Sequence, residues 1–346
     1  MSASRPLRLG TRGSQLALWQ ARTVAAAIEQ RAGRSTELVI IKTSGDRLAE
    51  APLCEVGGKR LFVKELEEAL LDRHIDLAVH SAKDMPAVCP HGLALASVLS
   101  RQDPRDAVVL PLPAAEDDGP GISACVADKQ ADQLDVTAVV RALGAAPRLA
   151  TSSVRRVAQL TRLVPSARFV PIRGNLDTRL RKLDGREYEA LVLAVAGLRR
   201  LGFEHRISAT LPVDACVPAP GQGAIAVQTR ADDQETRTVA ETIEDVPCRR
   251  AVEAERALVE ALGGGCQAPI GALATPGADD TYDLRAIVIS LDGTRAIRRT
   301  GQAVVRTLEE AAVLGRAVAD RLRGDGADAV LDEVRRAQAR VEGLQP

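Results

Sequence analysis

Apolar positions along the chain fall into two alternating rhythms. Short apolar runs alternate with longer stretches in which apolar residues recur every three or four positions, the marks of buried strands and one-sided helices. Arg8–Gly10 reads as a short strand. Ser14 is a candidate N-cap, and Gln15–Gln30 sets Leu16, Trp19, Val24 and Ile28 on one helical face. Leu38–Lys42 and Ile75–Val79 read as strands around a helix over Phe62–Asp72, and Met85-Pro86 stops any helix beyond them. Further strands are expected at Arg148–Ala150, Phe169–Ile172, Leu191–Ala194 and Ala224–Gln228. Helices are expected over Val154–Leu163, capped by Ser152 or Ser153, and over Thr178–Leu183. This alternation predicts an α/β fold with mostly parallel sheets and helices on both faces.

The texture changes towards the C-terminus. A long helix over Cys248–Leu262 ends at Gly263-Gly264-Gly265. Leu284–Ser290 and Thr294–Thr300 flank Leu291-Asp292-Gly293, a hairpin signal, and two amphipathic helices follow, roughly Leu308–Leu322 and Asp328–Ala339. A small α+β domain is expected there. Leu110–Ala146 is rich in Pro, Gly, Asp and Ala; Pro111–Gly121 reads as loop and Val136–Leu143 as a short helix. The chain has 346 residues, room for two or three domains of about 100–150 residues each.

Composition narrows the classes. Hydrophobic residues make up 46% but aromatics only 2%, so the cores must be aliphatic. No apolar run approaches the ~20 residues of a membrane span. Arg5, Arg8 and Arg12 precede no apolar export segment, so a cytoplasmic protein is expected. Basic and acidic side chains number 46 each, which argues against a globally basic nucleic-acid binder. The balance is local, however: Arg148–Arg200 holds eleven Arg and one Lys against four acids. Only Phe169 and Tyr188 offer stacking surfaces in that stretch, a poor platform for bases. The six cysteines form no C-x-x-C pair and the four histidines have no ligand spacing, so neither metal nor disulfide framework is expected.

Four constellations carry candidate chemistry. In His80-Ser81-Ala82-Lys83-Asp84-Met85-Pro86 an apolar strand runs into a turn bearing Lys and Asp, at the strand end where α/β sheets place ligands. Asp84 can serve there as proton donor or counter-charge, or simply satisfy the turn's own amides; His80 reads as a buried, hydrogen-bonded strand residue. Thr11-Arg12-Gly13-Ser14, Ser152-Ser153-Val154-Arg155-Arg156, Arg173-Gly174-Asn175 with Arg179, and Leu198-Arg199-Arg200 set arginines near predicted helix starts, where anions bind. Together they suit a ligand with several negative charges. Gly263-Gly264-Gly265-Cys266 opens space around a thiol that is a nucleophile, a covalent anchor or incidental. Thr43–Phe62 is polar and glycine-containing, a lid or a plain surface loop.

In order along nearly the whole chain, these segments resemble the hydroxymethylbilane synthase (porphobilinogen deaminase) family. The resemblance rests on Thr11–Ala17, Gly57-Gly58-Lys59 with Leu61–Leu66, His80–Pro86, Thr151–Arg156, Ile172–Asn175 with Lys182–Asp184, Gly221–Ala224, and Gly264–Cys266. It implies two periplasmic-binding-protein-like lobes and a small C-terminal domain: residues 1–103 with 218–241, residues 104–217, and residues 242–346. It implies a dipyrromethane cofactor joined by a thioether to Cys266, Asp84 as the catalytic carboxylate, and cofactor contacts from Lys83, Asp84, Ser153, Arg155, Arg156 and Arg173. Substrate contacts are implied for Arg12, Ser14, Arg179, Arg200, Gln222, Phe62 and Lys59. The implied reaction deaminates porphobilinogen and joins four units head to tail on the cofactor, in a monomer without metal, nucleic acid or membrane partner. Gly263 stands where the family usually has Glu, Ala150 replaces a common Gly, and the Leu110–Leu149 connection is longer by about two dozen residues. The extra chain, about 111–146, is expected to be a surface insertion remote from the chemistry.

Overall fold

The computed structural model describes residues 5–43, 63–112, 139, 143–264 and 268–342, with side chains to 337. In chain order the first strands are β1 (Leu7–Thr11), β2 (Thr36–Ile40), β3 (Leu77–Ser81), β4 (Leu93–Val98) and β5 (Asp106–Val109). Then follow β6 (Arg148–Ala150), β7 (Arg168–Val170), β8 (Ala190–Ala194), β9 (Ala209–Thr210) and β10 (Ile225–Arg230). The last three are β11 (Ile270–Pro276), β12 (Thr281–Ile289) and β13 (Ala296–Val304). The helices of the first part are α1 (Gln15–Ala32), α2 (Lys64–Leu71), α3 (Val154–Leu163), α4 (Leu176–Asp184), α5 (Val195–Arg200) and α6 (Gln234–Glu241). Those of the last part are α7 (Val246–Ala261), α8 (Leu308–Gly324) and α9 (Ala327–Glu342).

Two five-stranded sheets share one plan, β2-β1-β3-β10-β4 and β7-β6-β8-β5-β9. In each, the first three strands run parallel, while β10 or β5 lies antiparallel to both of its neighbours. The sheets are therefore mixed rather than mostly parallel. The reason is connectivity: β5 reaches the second sheet directly from the first, and β10 returns the chain to the first. Two crossover segments, 99–105 and 211–224, lie side by side as a result.

Period-two alternation then fills both faces. In β3, Leu77 and Val79 pack against Val24 and Ile28 of α1, while Ala78 faces Leu66 and Leu70 of α2. In β5, Val108 faces Leu160 of α3, and Ala107 and Val109 face Leu180 and Leu183 of α4. The third sheet, β11-β12-β13, is antiparallel. It buries Leu284, Ala286 and Val288 against Leu258 of α7 and Leu314 and Val318 of α8. Its hairpin turns at Asp292, whose carboxylate accepts from Ser290 Oγ at 2.5 Å and Thr294 N at 3.0 Å. Thr307 and Glu310 form a capping box at the start of α8.

Asp76 joins strands of the first sheet. Burial alone would raise its carboxyl, but hydrogen bonds from Arg8 and Arg5 prevail and hold it down at about 2. Arg8 N also donates to it at 2.9 Å, and Arg230 of β10 lies 3.5 Å away.

The connection before β6 is not wholly superficial. Val139 and Leu143 are buried, 1% and 7% exposed, in the cluster formed by Val108, Leu149, Leu160 and Val192. The expected surface insertion is corrected at that end: its last turn completes an aliphatic core. Residues 113–138 lie outside the described residues. Val139→Asp is expected to lower unfolding free energy by about 3 kcal/mol or more, because a carboxylate would sit there unpaired. Deleting 113–134 is expected to leave activity intact. Urea denaturation and an activity assay check the two.

Candidate functional site

β3 delivers the chain into a single 3-10 turn, Ala82–Asp84. The turn is held from the crossover: Ala82 N donates to Ala224 O at 3.1 Å. A Cβ on Gly221 would come within 2.9 Å of the Ala82 carbonyl carbon and 3.0 Å of Lys83 N, and its φ is +74°. A Cβ on Gly223 would lie 2.2 Å from Gln102 O. Both glycines are thus required by close backbone approach, and Gly221-Gln222-Gly223 is a crossover packed on the Lys83 turn. Gly221 N donates to Glu255 of α7 at 2.6 Å, and the same carboxylate takes Arg101 at 3.0 Å and Ala274 N at 2.8 Å.

Facing this turn, Ser153 caps α3 by accepting from Arg156 N. Two arginines in the first turn of a helix oppose its dipole. Asp106, fully buried at the start of β5, supplies the missing negative charge. It accepts from Arg155 Nη2 at 2.8 Å, Arg156 Nε at 3.0 Å, Arg156 Nη2 at 2.7 Å and Gln222 Nε2 at 2.9 Å. Burial would raise the Asp106 carboxyl, yet the two guanidinium groups hold it far below the usual range. Arg155 Nη1 also donates to Val217 O at 2.6 Å, and Arg156 Nη1 to Val192 O at 2.9 Å. Gln222 Nε2 reaches Pro104 O at 2.5 Å, joining the two crossovers.

Electrostatics link the turn to this cluster. Burial pushes the Lys83 ammonium down to about 8; Asp84 and Asp106 oppose the shift, and Arg155 and Arg156 add to it. Arg179 of α4 is lowered to about 10, chiefly by burial and then by Arg156, with Asp84 opposing. Its Nε donates to Gly174 O at 2.9 Å. Asp84 thus sits within electrostatic reach of two cations from different elements.

The other expected residues are placed as follows. Arg12, just past β1, is half-buried and adds to the depression of His80. Ser14 caps α1, accepting from Ala17 N at 3.3 Å. Arg173 is half-buried two residues before Asn175, the N-cap of α4. Arg200 lies at a seam between the lobes, its guanidinium 5.5 Å from the Trp19 ring centroid and donating to Gly223 O at 2.6 Å. Its contacts are with α1 and the crossover rather than with the Asp84 turn. Lys59, Phe62, the expected lid and Cys266 lie outside the described residues. His80 is buried as expected: burial lowers it to about 4, and its Nε2 is 3.1 Å from Gln228 Oε1. Among the described residues no three His, Cys, Asp or Glu side chains form a metal site, and no helix is long and apolar enough to cross a membrane.

A cleft, partly open to solvent, lies beside the turn. Lys83, Ser153, Arg155 and Arg256 give it a basic side; Met85, Val259 and Ile270 give it an apolar side, and Ala268 borders it just past residues 265–267. Such a cavity can hold a flat apolar ring carrying carboxylates, with Asp84 near. Sequence reasoning passed over Asp106, Glu255 and Arg256. The single signal for Asp106 was an acid opening an apolar strand, and nothing local announced its partners.

The family described as porphobilinogen deaminase, dipyromethane cofactor binding domain, matches residues 7–238, and the porphobilinogen deaminase C-terminal domain matches residues 249–324. The chain is 43% identical over 333 residues to a porphobilinogen deaminase of Geobacter metallireducens, covering 96% of each chain. It is 42% identical over 336 residues to one of Syntrophobacter fumaroxidans, covering 96% of this chain and 99% of that one. Among solved structures it is similar to the periplasmic VFT2 domain of Bordetella pertussis BvgS, at 16% identity and a TM-score of 0.38, over 68% of this chain and 86% of that one.

Asp106→Asn leaves two buried guanidinium groups without their anion. Its expected cost is about 3–5 kcal/mol in urea denaturation. Adding Arg156→Met is expected to recover part of that loss, since one of the stranded charges is then gone.

Proposed function

The chain belongs to the porphobilinogen deaminase family, and from that premise we propose how its residues divide the work. The enzyme is a transferase that deaminates porphobilinogen and condenses four units head to tail on a dipyrromethane primer, releasing hydroxymethylbilane. We read residues 1–103 with 218–241 as the first lobe, 104–217 as the second and 242–346 as the cofactor-bearing domain. One β-sheet per unit supports this division. We further read the enzyme as a cytoplasmic monomer that uses no metal.

The cavity fits the primer. Its apolar side suits pyrrole rings, and its basic side suits their acetates and propionates. Lys83, Ser153, Arg155 and Arg173 would hold the carboxylates, with Arg156 acting alongside Arg155 and Cys266 the tether. When bound, the primer would supply the nucleophilic pyrrole carbon for the first unit, each later unit joining the ring added before it.

The observation that carries the reading is Asp84 on the turn whose neighbours Lys83 and Met85 line this cavity, within electrostatic reach of Lys83 and Arg179. Loss of ammonia from the substrate's aminomethyl group leaves a cationic azafulvene. Asp84 stabilises that charge at the pyrrole nitrogen and takes up the proton released after carbon–carbon bond formation. Arg12, Ser14, Arg179 and Arg200 bind the incoming acids, each charge-assisted bond being worth roughly 1.5–3 kcal/mol. Gln222, whose amide donates to Pro104 and Asp106 at the crossover, is read as a further substrate contact, and Lys59 and Phe62 serve the incoming unit from the segment before α2.

Asp84→Asn is expected to lower turnover at least about a thousandfold, as loss of a principal electrostatic and proton-transfer group does, while the thermal melt stays unchanged. Near-normal turnover would refute the assignment. Lys83 gives a pH signature. Its lowered pKa means the cation persists below about 8 and is lost above it. Loading of the primer on ligand-free protein supplied with porphobilinogen is therefore expected to be flat from about pH 6 to 7.5 and to fall as pH rises through 8, whereas Lys83→Arg stays flat to about pH 9. Intact mass across that range checks the sign.

A further inference from the structure

α7 grips the first lobe at three points. Arg249 Nη1 donates to Leu95 O at 2.8 Å, Glu255 holds Arg101 and Gly221 N, and Arg256 Nη1 donates to Pro86 O at 2.8 Å. Glu255 is fully engaged by Arg101, Gly221 N and Ala274 N, and Arg249 lies 4.0 Å from Glu253. Arg256 differs in three ways. It lines the cavity, whereas Arg249 and Glu255 do not. Its other contact is weak and neutral, Nη2 to Cys89 Sγ at 3.7 Å. It also forms no ion pair among the described residues, although the neighbouring buried arginines do: Arg101 with Glu255, Arg155 and Arg156 with Asp106.

The acids nearest in sequence are otherwise directed. Glu255 is consumed by Arg101, Gly221 N and Ala274 N, and Glu253 lies 4.0 Å from Arg249. Among the described residues no acid lines the cavity. A half-buried guanidinium with five N–H donors, only two of them engaged, and no internal anion leaves a positive charge facing that space.

We propose that Arg256 is a further ligand-binding residue of this cavity, taking a ring carboxylate of the pyrrole primer with the N–H groups that Pro86 and Cys89 leave over. The inference rests on the proposed function and extends its donor set to the helix that leads towards Cys266. Because Pro86 lies two residues beyond Asp84, the same guanidinium fixes the carboxylate relative to the catalytic turn. The group recognised is an acetate or propionate on an apolar ring, which pairs with the fork of an arginine better than with an ammonium.

The test compares full-length wild type, Arg256→Leu and Arg256→Lys by intact mass and Ehrlich colour after purification. In parallel, Cys266→Ser protein with and without Arg256→Leu is titrated with porphobilinogen and melted without ligand. Wild type is expected to carry pyrrole mass on the Cys266 peptide, with the loaded fraction reduced about tenfold or more in Arg256→Leu and partly restored in Arg256→Lys. Porphobilinogen affinity in the Cys266→Ser background is expected to fall about tenfold, the loss that one charge-assisted pair represents, with the ligand-free melt unchanged. Full loading and unchanged affinity in Arg256→Leu would overturn the proposal, as would a melt lowered in step with the loading. Wild type devoid of pyrrole would overturn the proposed function itself, so the two failures are told apart.

Discussion

Two guanidinium groups can be buried side by side only if an anion is buried with them, and Asp106 is that anion. Without it, Arg155 and Arg156 would repel one another at the N-terminal end of α3, where the helix dipole already disfavours cations. With it, four hydrogen bonds fix both planes and the side-chain amide of Gln222. Asp106 opens β5, the strand that brings the chain from the first sheet into the second. The position of the basic pair is thereby tied to the crossover rather than to a mobile surface.

The crossovers carry the remaining constraints. Glycine at 221 and 223 lets the returning segment lie against Lys83 and Gln102, and Gln222 spans to Pro104 in the outgoing one. Glu255 then fastens the third unit to both, through Arg101 and Gly221 N. At the seam, Arg200 lies over Trp19, a cation–π contact worth about 0.5–2 kcal/mol. That is weak enough to be exchanged for a ligand carboxylate without disturbing the cores, which lie on both sides of each sheet.

Much of this was legible in the sequence because it is local. Val154–Leu163 is a helix with those bounds, capped by Ser153, since apolar spacing and a serine hydroxyl specify it within one turn. The hairpin at Asp292 followed equally from turn chemistry. Errors arose where a partner lay far along the chain. The hydrophobic pattern places this strand at Leu38–Lys42, two residues late, because β2 takes its register from β1 and Ile40 stays 57% exposed. The Leu93–Val98, Asp106–Val109 and Ile270–Pro276 strands carried no flanking signal that distinguished them. Arg155 and Arg156 were legible as basic residues at a helix start, but their shared anion, 49 and 50 residues away, was not. Val139 and Leu143 show the same limit: a Pro- and Ala-rich stretch gives no sign that its end is core.

The charge balance explains why so many cations are needed. Around the Asp84 turn, Lys83, Arg155 and Arg156 face Asp84 and Asp106, a surplus of a single positive charge. A two-ring primer with an acetate and a propionate on each ring brings about four negative charges, and each added unit about two more, so the buried pair cannot serve alone. More buried cations would each need another internal anion, which cancels the gain. The arrangement that escapes this bind keeps its additional guanidinium groups half-buried and bonded to neutral carbonyls, as Arg179 is to Gly174, Arg200 to Gly223 and Arg256 to Pro86. A carbonyl orients a guanidinium without neutralising it, and the charge remains available to an acid that comes and goes.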